Sequence, residues 1–331
     1  MKRILVTGGA GFIGSCFVID QVKTGNFVVN LDKLTYAANL DNLQEISNHK
    51  NYKLIEGDIG DQKLIAKILN EYQIDYLVNF AAESHVDNSI AGPEIFITTN
   101  INGTFSLLNQ SLAYWKKLEG KKQQEFRFLH VSTDEVYGSL KRDEPGFNEI
   151  TRYKPNSPYS ASKAASDHLV RAWNKTYGLP TITTNCSNNF GPRQHREKLI
   201  PTIIFSCLHN KKIPIYGNGK NIRDWIFVED HCKGIYLALT KGQIGQTYCF
   251  GGNAEKENIE VVNTICEILD QTKPRSDGKS YKEQISFVTD RLGHDARYAI
   301  DDKKARNELG FTTPEKFEDR IKQTIDWYLK S

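Results

Sequence analysis

Residues 3–14 read Arg3-Ile4-Leu5-Val6-Thr7-Gly8-Gly9-Ala10-Gly11-Phe12-Ile13-Gly14, a β-branched run that breaks into glycines and then enters an amphipathic segment. The glycines at 8, 11 and 14 give a Gly-x-x-Gly-x-x-Gly spacing at a strand-to-helix turn. Such a turn lets backbone N–H groups approach a pyrophosphate, which then rests on the positive end of the helix. Asp32 closes the next apolar run, 18 residues beyond Gly14. A carboxylate there accepts from an adenine-ribose 2′-hydroxyl and repels a 2′-phosphate, favouring NAD over NADP. Lys33, next to it, works against that discrimination. Asp58-Ile59, after the third apolar run, is placed to meet the adenine edge, although Asp58 serves equally well as a helix cap.

Outward from this turn the pattern repeats. Strands are expected over Arg3–Thr7, Phe27–Asp32, Tyr52–Glu56, Tyr76–Phe80 and Phe126–Ser132, with helices over Gly11–Thr24, Asp61–Tyr72, Ile101–Lys117 and Ser160–Tyr177. Apolar strands alternating with helices imply right-handed βαβ units, and hence a doubly wound parallel α/β sheet of Rossmann type. The second half is less regular. A strand Thr181–Cys186 precedes a loop Ser187–Lys198, a helix Leu199–Cys207, a strand Ile222–Val228 and helices over Glu229–Thr240, Asn258–Asp270 and Phe317–Leu329. Residues 1–185 are expected to bind the cofactor and 186–331 to form a smaller mixed α/β substrate domain, with 224–250 returning to the first.

The 331 residues allow two domains, and 39% hydrophobic with 25% charged residues is ordinary for a globular chain. Forty-three basic against 40 acidic residues leave +3, too balanced to argue for nucleic acid. No run is long enough for a membrane span, and the apolar start breaks at Thr7-Gly8-Gly9, short of a signal peptide. The dense charge run Lys116–Glu125 is read as a solvated loop. Six scattered cysteines read as reduced thiols, and eight histidines show no metal-ligand spacing, so no metal is expected.

Tyr159-Ser160-Ala161-Ser162-Lys163 sets Tyr159 and Lys163 at i and i+4 on one helix face. A nearby ammonium stabilises a phenolate, so Lys163 is expected to lower the Tyr159 pKa and make it a base. Twenty-six residues upstream, Thr133-Asp134-Glu135 follows a buried-looking strand. Thr133 offers a hydroxyl to the reacting centre. Turn chemistry explains one of the two carboxyls but rarely both.

Taken together, Gly8–Gly14, Thr133–Gly138 and Tyr159–Lys163 resemble the extended short-chain dehydrogenase/reductase family. Asp134-Glu135 with Ala81-Ala82-Glu83-Ser84-His85-Val86-Asp87 resembles its dTDP-glucose 4,6-dehydratase branch, as do Asn185–Pro192, Glu197–Pro201, Pro214–Gly217, Ile222–Trp225 and Asp290–Asp295. The resemblance implies NAD held by Gly8, Gly11, Phe12, Ile13, Gly14, Asp32, Lys33, Leu34, Thr35, Asp58 and Ile59. Along the rest of the cofactor it implies Phe80, Ala81, Ala82, Ser84, Thr99, Tyr159, Lys163 and Asn189. For dTDP-glucose it implies Arg223 on the pyrophosphate, Tyr216 near the base and Ser84 with Thr133 on the glucose. Asn188, Glu197, Lys198, Leu199, Pro214, Asn258, Asp290 and His294 would complete that site. It further implies Tyr159 as the base at the C4 hydroxyl, Glu135 as the base at C5 and protonated Asp134 as the acid at the C6 hydroxyl. Asn88 stands where arginine is expected and Phe190 where tyrosine is usual, and Arg193 with His195-Arg196 makes that loop basic.

UDP-glucose is an alternative substrate, since one methyl group in a pocket is worth only ~1–3 kcal/mol. A 4-epimerase shares Thr133, Tyr159 and Lys163 but has no use for the acidic pair. A non-catalytic NAD-sensing scaffold would not need Tyr159 and Lys163. The stripes Ile101, Phe105, Leu108, Leu112, Trp115 and Leu169, Val170, Trp173, Tyr177, with the family's four-helix interface, imply a homodimer.

Overall fold

In a computed structural model of the chain, residues 1–290 and 294–330 are described. The Arg291-Leu292-Gly293 part of the Asp290–Asp295 motif lies outside them. Strands β1 (Arg3–Thr7), β2 (Phe27–Asp32), β3 (Tyr52–Glu56), β4 (Tyr76–Asn79), β5 (Arg127–Thr133) and β6 (Thr181–Cys186) come first. Shorter strands follow: β7 (Asn188–Phe190), β8 (Ile213–Tyr216), β9 (Ile222–Phe227), β10 (Thr247–Phe250), β11 (Glu255–Glu257) and β12 (Ile285–Val288). The large sheet is parallel throughout, in the order β10-β6-β5-β4-β1-β2-β3. This is the doubly wound arrangement expected of the fold class.

Buried strands explain the sheet's composition. Ile4, Leu5 and Val6 of β1 are fully buried, with helix Phe12–Lys23 packed on one face through Phe17 and Val18, while Ile65, Leu69 and Leu107 cover the other. The close approach of helix to strand is set by Gly14, where a Cβ would come within 2.2 Å of the Gly8 carbonyl oxygen. Strand order reverses between β1 and β4, so a crevice opens at their carboxyl ends, beside Gly8 and Phe80.

A second core, built on Phe190, Ile203, Ile213, Trp225, Phe227, Ile265, Phe317 and Ile321, joins the sheets β11-β9-β7 and β12-β8 to helices Leu199–Leu208, Asn258–Thr272 and Phe317–Tyr328. Here the chain order departs from expectation in detail. Strand β9 pairs with β7 and β11, so the segment lying on the large sheet begins at helix Val228–Lys241, after Phe227, rather than at Asp224. Loop Ser187–Lys198 contains β7, and the charge run near 120 holds the short helix Gly120–Glu125.

The helix expected from Ile101 is also different at its start. Residues Ile97–Gly103 form a π-helical turn, and the α-helix runs Thr104–Trp115. Asn100 accounts for the widening. Its side-chain oxygen accepts from Glu83 N–H at 2.8 Å, and its amide donates to Glu83 O at 3.0 Å and Ser162 Oγ at 2.8 Å. Its own carbonyl accepts from the Ser166 hydroxyl at 2.7 Å. No helix among the described residues is long and apolar enough to cross a membrane.

Candidate active site

The crevice is a deep cleft, and most sequence-selected residues meet in it. Gly8, Gly11, Phe12, Ile13, Gly14, Asp32, Lys33, Thr35, Asp58 and Ile59 line one arm. Phe80, Ala81, Ala82, Ser84, Thr99, Asn188, Asn189, Glu197 and Lys198 line the middle, and Thr133, Asp134, Glu135, Tyr159 and Lys163 the far end. Leu34 does not line it. Its φ is +54° and its N–H donates to Asp32 Oδ1 at 2.9 Å, so it turns the chain there.

Asp32 is buried and braces the glycine turn, its other oxygen accepting from Ala10 N–H at 2.8 Å. Each carboxylate oxygen keeps a second lone pair, so the bracing leaves room for a ribose hydroxyl. Lys33 is tied to Asp58 at 2.7 Å, which reduces its attraction for a 2′-phosphate. Burial opposes ionisation of Asp58, but Lys33 and the Gly60 N–H outweigh it and hold the carboxyl below its ordinary value. Asp61, not Asp58, caps the next helix.

The arm suits a dinucleotide. A Cβ at Gly11 would meet only the Gly8 carbonyl oxygen, at 3.4 Å, so glycine leaves an open cradle at the helix N-terminus. Further along, Asn188 Oδ1 and Asp134 Oδ2 are buried without a hydrogen-bond partner, as expected where a ligand supplies one.

At the far end, Thr133 caps the turn Asp134–Tyr137, its hydroxyl oxygen accepting from Glu135 N–H at 3.3 Å. Neither carboxyl is therefore needed as the cap. Asp134 is 2% exposed; burial, then the Glu135 charge, then Asp224 push its carboxyl well above the ordinary range, which favours its protonated form.

The Tyr159–Lys163 pair departs from expectation. The Tyr159 phenol is pushed up, not down, by burial first and the Glu135 charge second, with Thr133 pulling the other way. The Lys163 ammonium is turned to the Val131 carbonyl, at 2.8 Å. Burial also lowers Lys163 itself, to about 8.

Several residues expected around the nucleotide do not line the cleft: Leu199, Pro214, Tyr216, Arg223, Asn258, Asp290 and His294. They belong to the second core's elements. Pro214 and Tyr216 are exposed on β8, and Leu199 and Asn258 open helices. His294 Nδ1 is 2.6 Å from Asp290 Oδ1 and its ring lies edge-on to Tyr216 at 6.3 Å. Arg223 is nearer the chemistry. It lies over the Tyr298 ring at 4.3 Å, donates to Asp295 O at 3.0 Å, and its charge acts on Asp134. Among the departures noted in the sequence, Arg193 pairs with Glu45 at 2.9 Å, and His195 with His85 flanks Glu197 at 3.6 Å.

Sequence reading missed Asn100, His130, Asp167 and Cys186. Cys186 ends β6 and lines the cleft beside Asn189, whose amide donates to the sulfur at 3.3 Å. Asp167 falls at i+4 from Lys163, but the partners that give Asn100, His130 and Asp167 their roles lie far off in sequence.

The sequence profile of the GDP-mannose 4,6 dehydratase family matches residues 5–324. A dTDP-glucose 4,6-dehydratase of Xanthomonas campestris pv. campestris is 57% identical over 330 residues, covering 99% of this chain and 93% of the relative. The crystal structure of dTDP-glucose 4,6-dehydratase from Bacillus anthracis in complex with NAD superposes with a TM-score of 0.88 at 43% identity, over 100% of this chain and 97% of the other. The Streptomyces venezuelae dTDP-glucose 4,6-dehydratase, also solved with NAD, gives 0.89 at 41% identity over 99% and 97%.

Proposed function

The chain belongs to the GDP-mannose 4,6 dehydratase family, and from that membership and the carboxyl pair in its cleft we propose that it converts dTDP-glucose to dTDP-4-keto-6-deoxyglucose with NAD as cofactor. One observation carries the reading: buried Asp134 stands directly beside Glu135 at the end of the cleft, where burial and the Glu135 charge favour its protonated form. Adjacent carboxyls in opposite protonation states are what an elimination of water needs, one to take a proton and one to give.

NAD, when bound, supplies an acceptor for the C4 hydride and a donor to C6, so the net reaction is redox-neutral. Tyr159 takes the C4 hydroxyl proton, with the Thr133 hydroxyl beside it stabilising the phenolate. The resulting 4-ketone acidifies C5–H. Glu135 removes that proton, and Asp134 protonates the departing C6 hydroxyl, which leaves as water; as C6 regains hydride, a proton is restored to C5, giving the 4-keto-6-deoxy product. Arg223, next to the Asp134 site, suits the pyrophosphate through its guanidinium fork. Tyr216, Asp290 and His294 would then meet the nucleoside from the second core's side. An epimerase would gain nothing from Asp134.

Incubation with dTDP-glucose and then alkali should produce the near-ultraviolet absorbance of a 4-keto-6-deoxy sugar, and an epimerised product would show none. Running UDP-glucose in parallel fixes the base preference. Absence of the absorbance, with NAD bound, would end this reading.

The chain is also proposed to act as a homodimer. The stripes on helices Thr104–Trp115 and Pro158–Tyr177 divide: Leu108 and Val170 face the core, whereas Phe105 and Tyr177 are 39% and 47% exposed. Phe105 packs edge-on against Trp173 at 5.7 Å, and Ile97 extends the apolar face. A second copy of the same face would cover it. Sedimentation should give twice the 37.7 kDa chain mass, and Phe105→Glu should shift the protein to monomer; a wild-type monomer at micromolar concentration would refute the dimer. Six free, buried cysteines fit a reducing compartment, and we place the enzyme in the cytoplasm.

A further inference from the structure

Beneath Lys163 lies a polar cluster, most of which does not reach the cleft. Tyr159, Lys163 and Asp167 follow at i, i+4 and i+8 along one face of helix Pro158–Tyr177. Asp167 is 4% exposed. Its Oδ2 receives the Ser132 hydroxyl at 2.8 Å, the Tyr153 hydroxyl at 2.9 Å and the Asn185 amide at 3.3 Å. Three donors converging on one oxygen suit a carboxylate, not a carboxylic acid. Its Oδ1 has no aligned donor and lies 3.4 Å from His130 Nε2.

The tautomer of His130 follows from the chain of bonds leading to it. Ala81 N–H points at Thr7 Oγ1 at 3.5 Å, so the Thr7 hydroxyl donates to Asn79 Oδ1, at 2.6 Å. That orients the Asn79 amide toward His130 Nδ1, at 3.1 Å. The ring proton is then on Nε2, the nitrogen that lies 3.4 Å from Asp167 Oδ1. Lys163 Nζ sits 3.3 Å from that same Nε2. In this tautomer His130 offers Lys163 no lone pair, and the ammonium is left with the Val131 carbonyl.

We infer that Asp167 is a positioning residue: held by Ser132, Tyr153 and Asn185 and bridged by His130, it supplies the counter-charge that keeps Lys163 an ammonium at the Val131 carbonyl. The inference rests on Lys163 acting in the proposed reaction. The titratable groups facing Lys163 are His130 on β5, Cys186 on β6, and Tyr159 and Asp167 on its own helix, with Asp134 and Glu135 facing Tyr159. His130 is kept neutral, lowered to about 4 by burial and then by Lys163. The thiol of Cys186 is pushed up by burial and is neutral as well. Asp167 thus offsets most directly the burial that draws Lys163 down to about 8.

The test follows Lys163 itself. Lysine labelled with ¹³C is incorporated, the Lys163 Cε resonance is assigned by its loss in Lys163→Arg, and its shift is followed against pH in the purified protein. The midpoint should fall in Asp167→Asn by about one pH unit or more, and the alkaline limb of the C4-oxidation rate should move with it. Asp167→Glu should restore both. Tyr153→Phe, which removes one donor but leaves the carboxylate, should not lower the midpoint. An unmoved midpoint in Asp167→Asn, or in Asp167→Ser if the asparagine variant fails to fold, overturns the inference, as does a slower rate with an unmoved pH profile. Full turnover by Lys163→Met would instead refute the role given to Lys163, whatever Asp167 does.

Discussion

Asp134 is costly to the fold in the state that most carboxyls prefer. Its proton affinity in the folded chain is raised well above the unfolded value of 3.8, chiefly by burial. A group raised in this way stabilises the fold fully below the unfolded pKa and loses that contribution as pH rises through the folded one. Asp134→Asn removes the liability. It should melt higher than wild type on the alkaline side of neutrality while turning over about 10²–10⁴-fold more slowly; a lower melting point there would refute the burial argument. Glu135→Gln separates the other carboxyl. Oxidation at C4 should persist, with bound reduced cofactor visible by absorbance, but solvent deuterium should not enter C5. Exchange at the full rate would reassign the base. Adjacency of Asp134 and Glu135 was legible in the sequence. That the Lys163 ammonium rests on a carbonyl of β5 was not, since helical spacing places the lysine without saying where its ammonium turns.

Legibility at the scale of elements followed length and burial. Strands β1, β2, β3 and β6 fall where the apolar and β-branched runs place them; β1 and β2 are almost wholly buried, whereas β3 is a half-buried edge and β6 buries several polar side chains. Strands β8 and β12 escaped notice: each has four residues, and β8 alternates a buried Ile213 and Ile215 with an exposed Pro214 and Tyr216. Their pairing depends on two segments some 70 residues apart in the chain, which no local pattern encodes. The π-turn before Thr104 was invisible for a related reason. It exists because Asn100 reaches Glu83 and Ser162, residues of other elements. Asn100→Ala removes the partners of the Glu83 backbone and one bond of Ser162, which keeps its bond to Tyr159 O, and should destabilise the protein by about 2–4 kcal/mol in urea unfolding. A loss below about 1 kcal/mol would show that the turn is held by packing alone.

Across the whole molecule, the two cores are fastened by charge as well as by chain crossings. Arg320, on helix Phe317–Tyr328 of the second core, donates to both oxygens of Asp230 at 3.1 Å, and Asp230 lies on helix Val228–Lys241 against the large sheet. Both side chains are nearly dry, at 8% and 2% exposure. Removing one partner leaves the other charge buried, so Arg320→Ala should cost about 3 kcal/mol, with Lys233 at 3.3 Å compensating in part. Arg320→Ala combined with Asp230→Ala should recover some of that loss. Independent unfolding of the cores in the single variant, seen as two transitions, would show the pair to be their principal link.

Strand β10 has a temporal consequence. It completes the large sheet beside β6, yet β6 ends at Cys186 and β10 begins at Thr247, after much of the second core has been threaded between them. On a ribosome adding ~5–20 residues per second, those roughly 60 residues take about 3–12 s. For that interval the nascent chain presents β6 as a bare edge, open to pairing with a neighbour's strand. Synthesis itself, rather than the finished enzyme, is therefore where this protein is most exposed to aggregation, and codon choice across 187–246 bears on its yield.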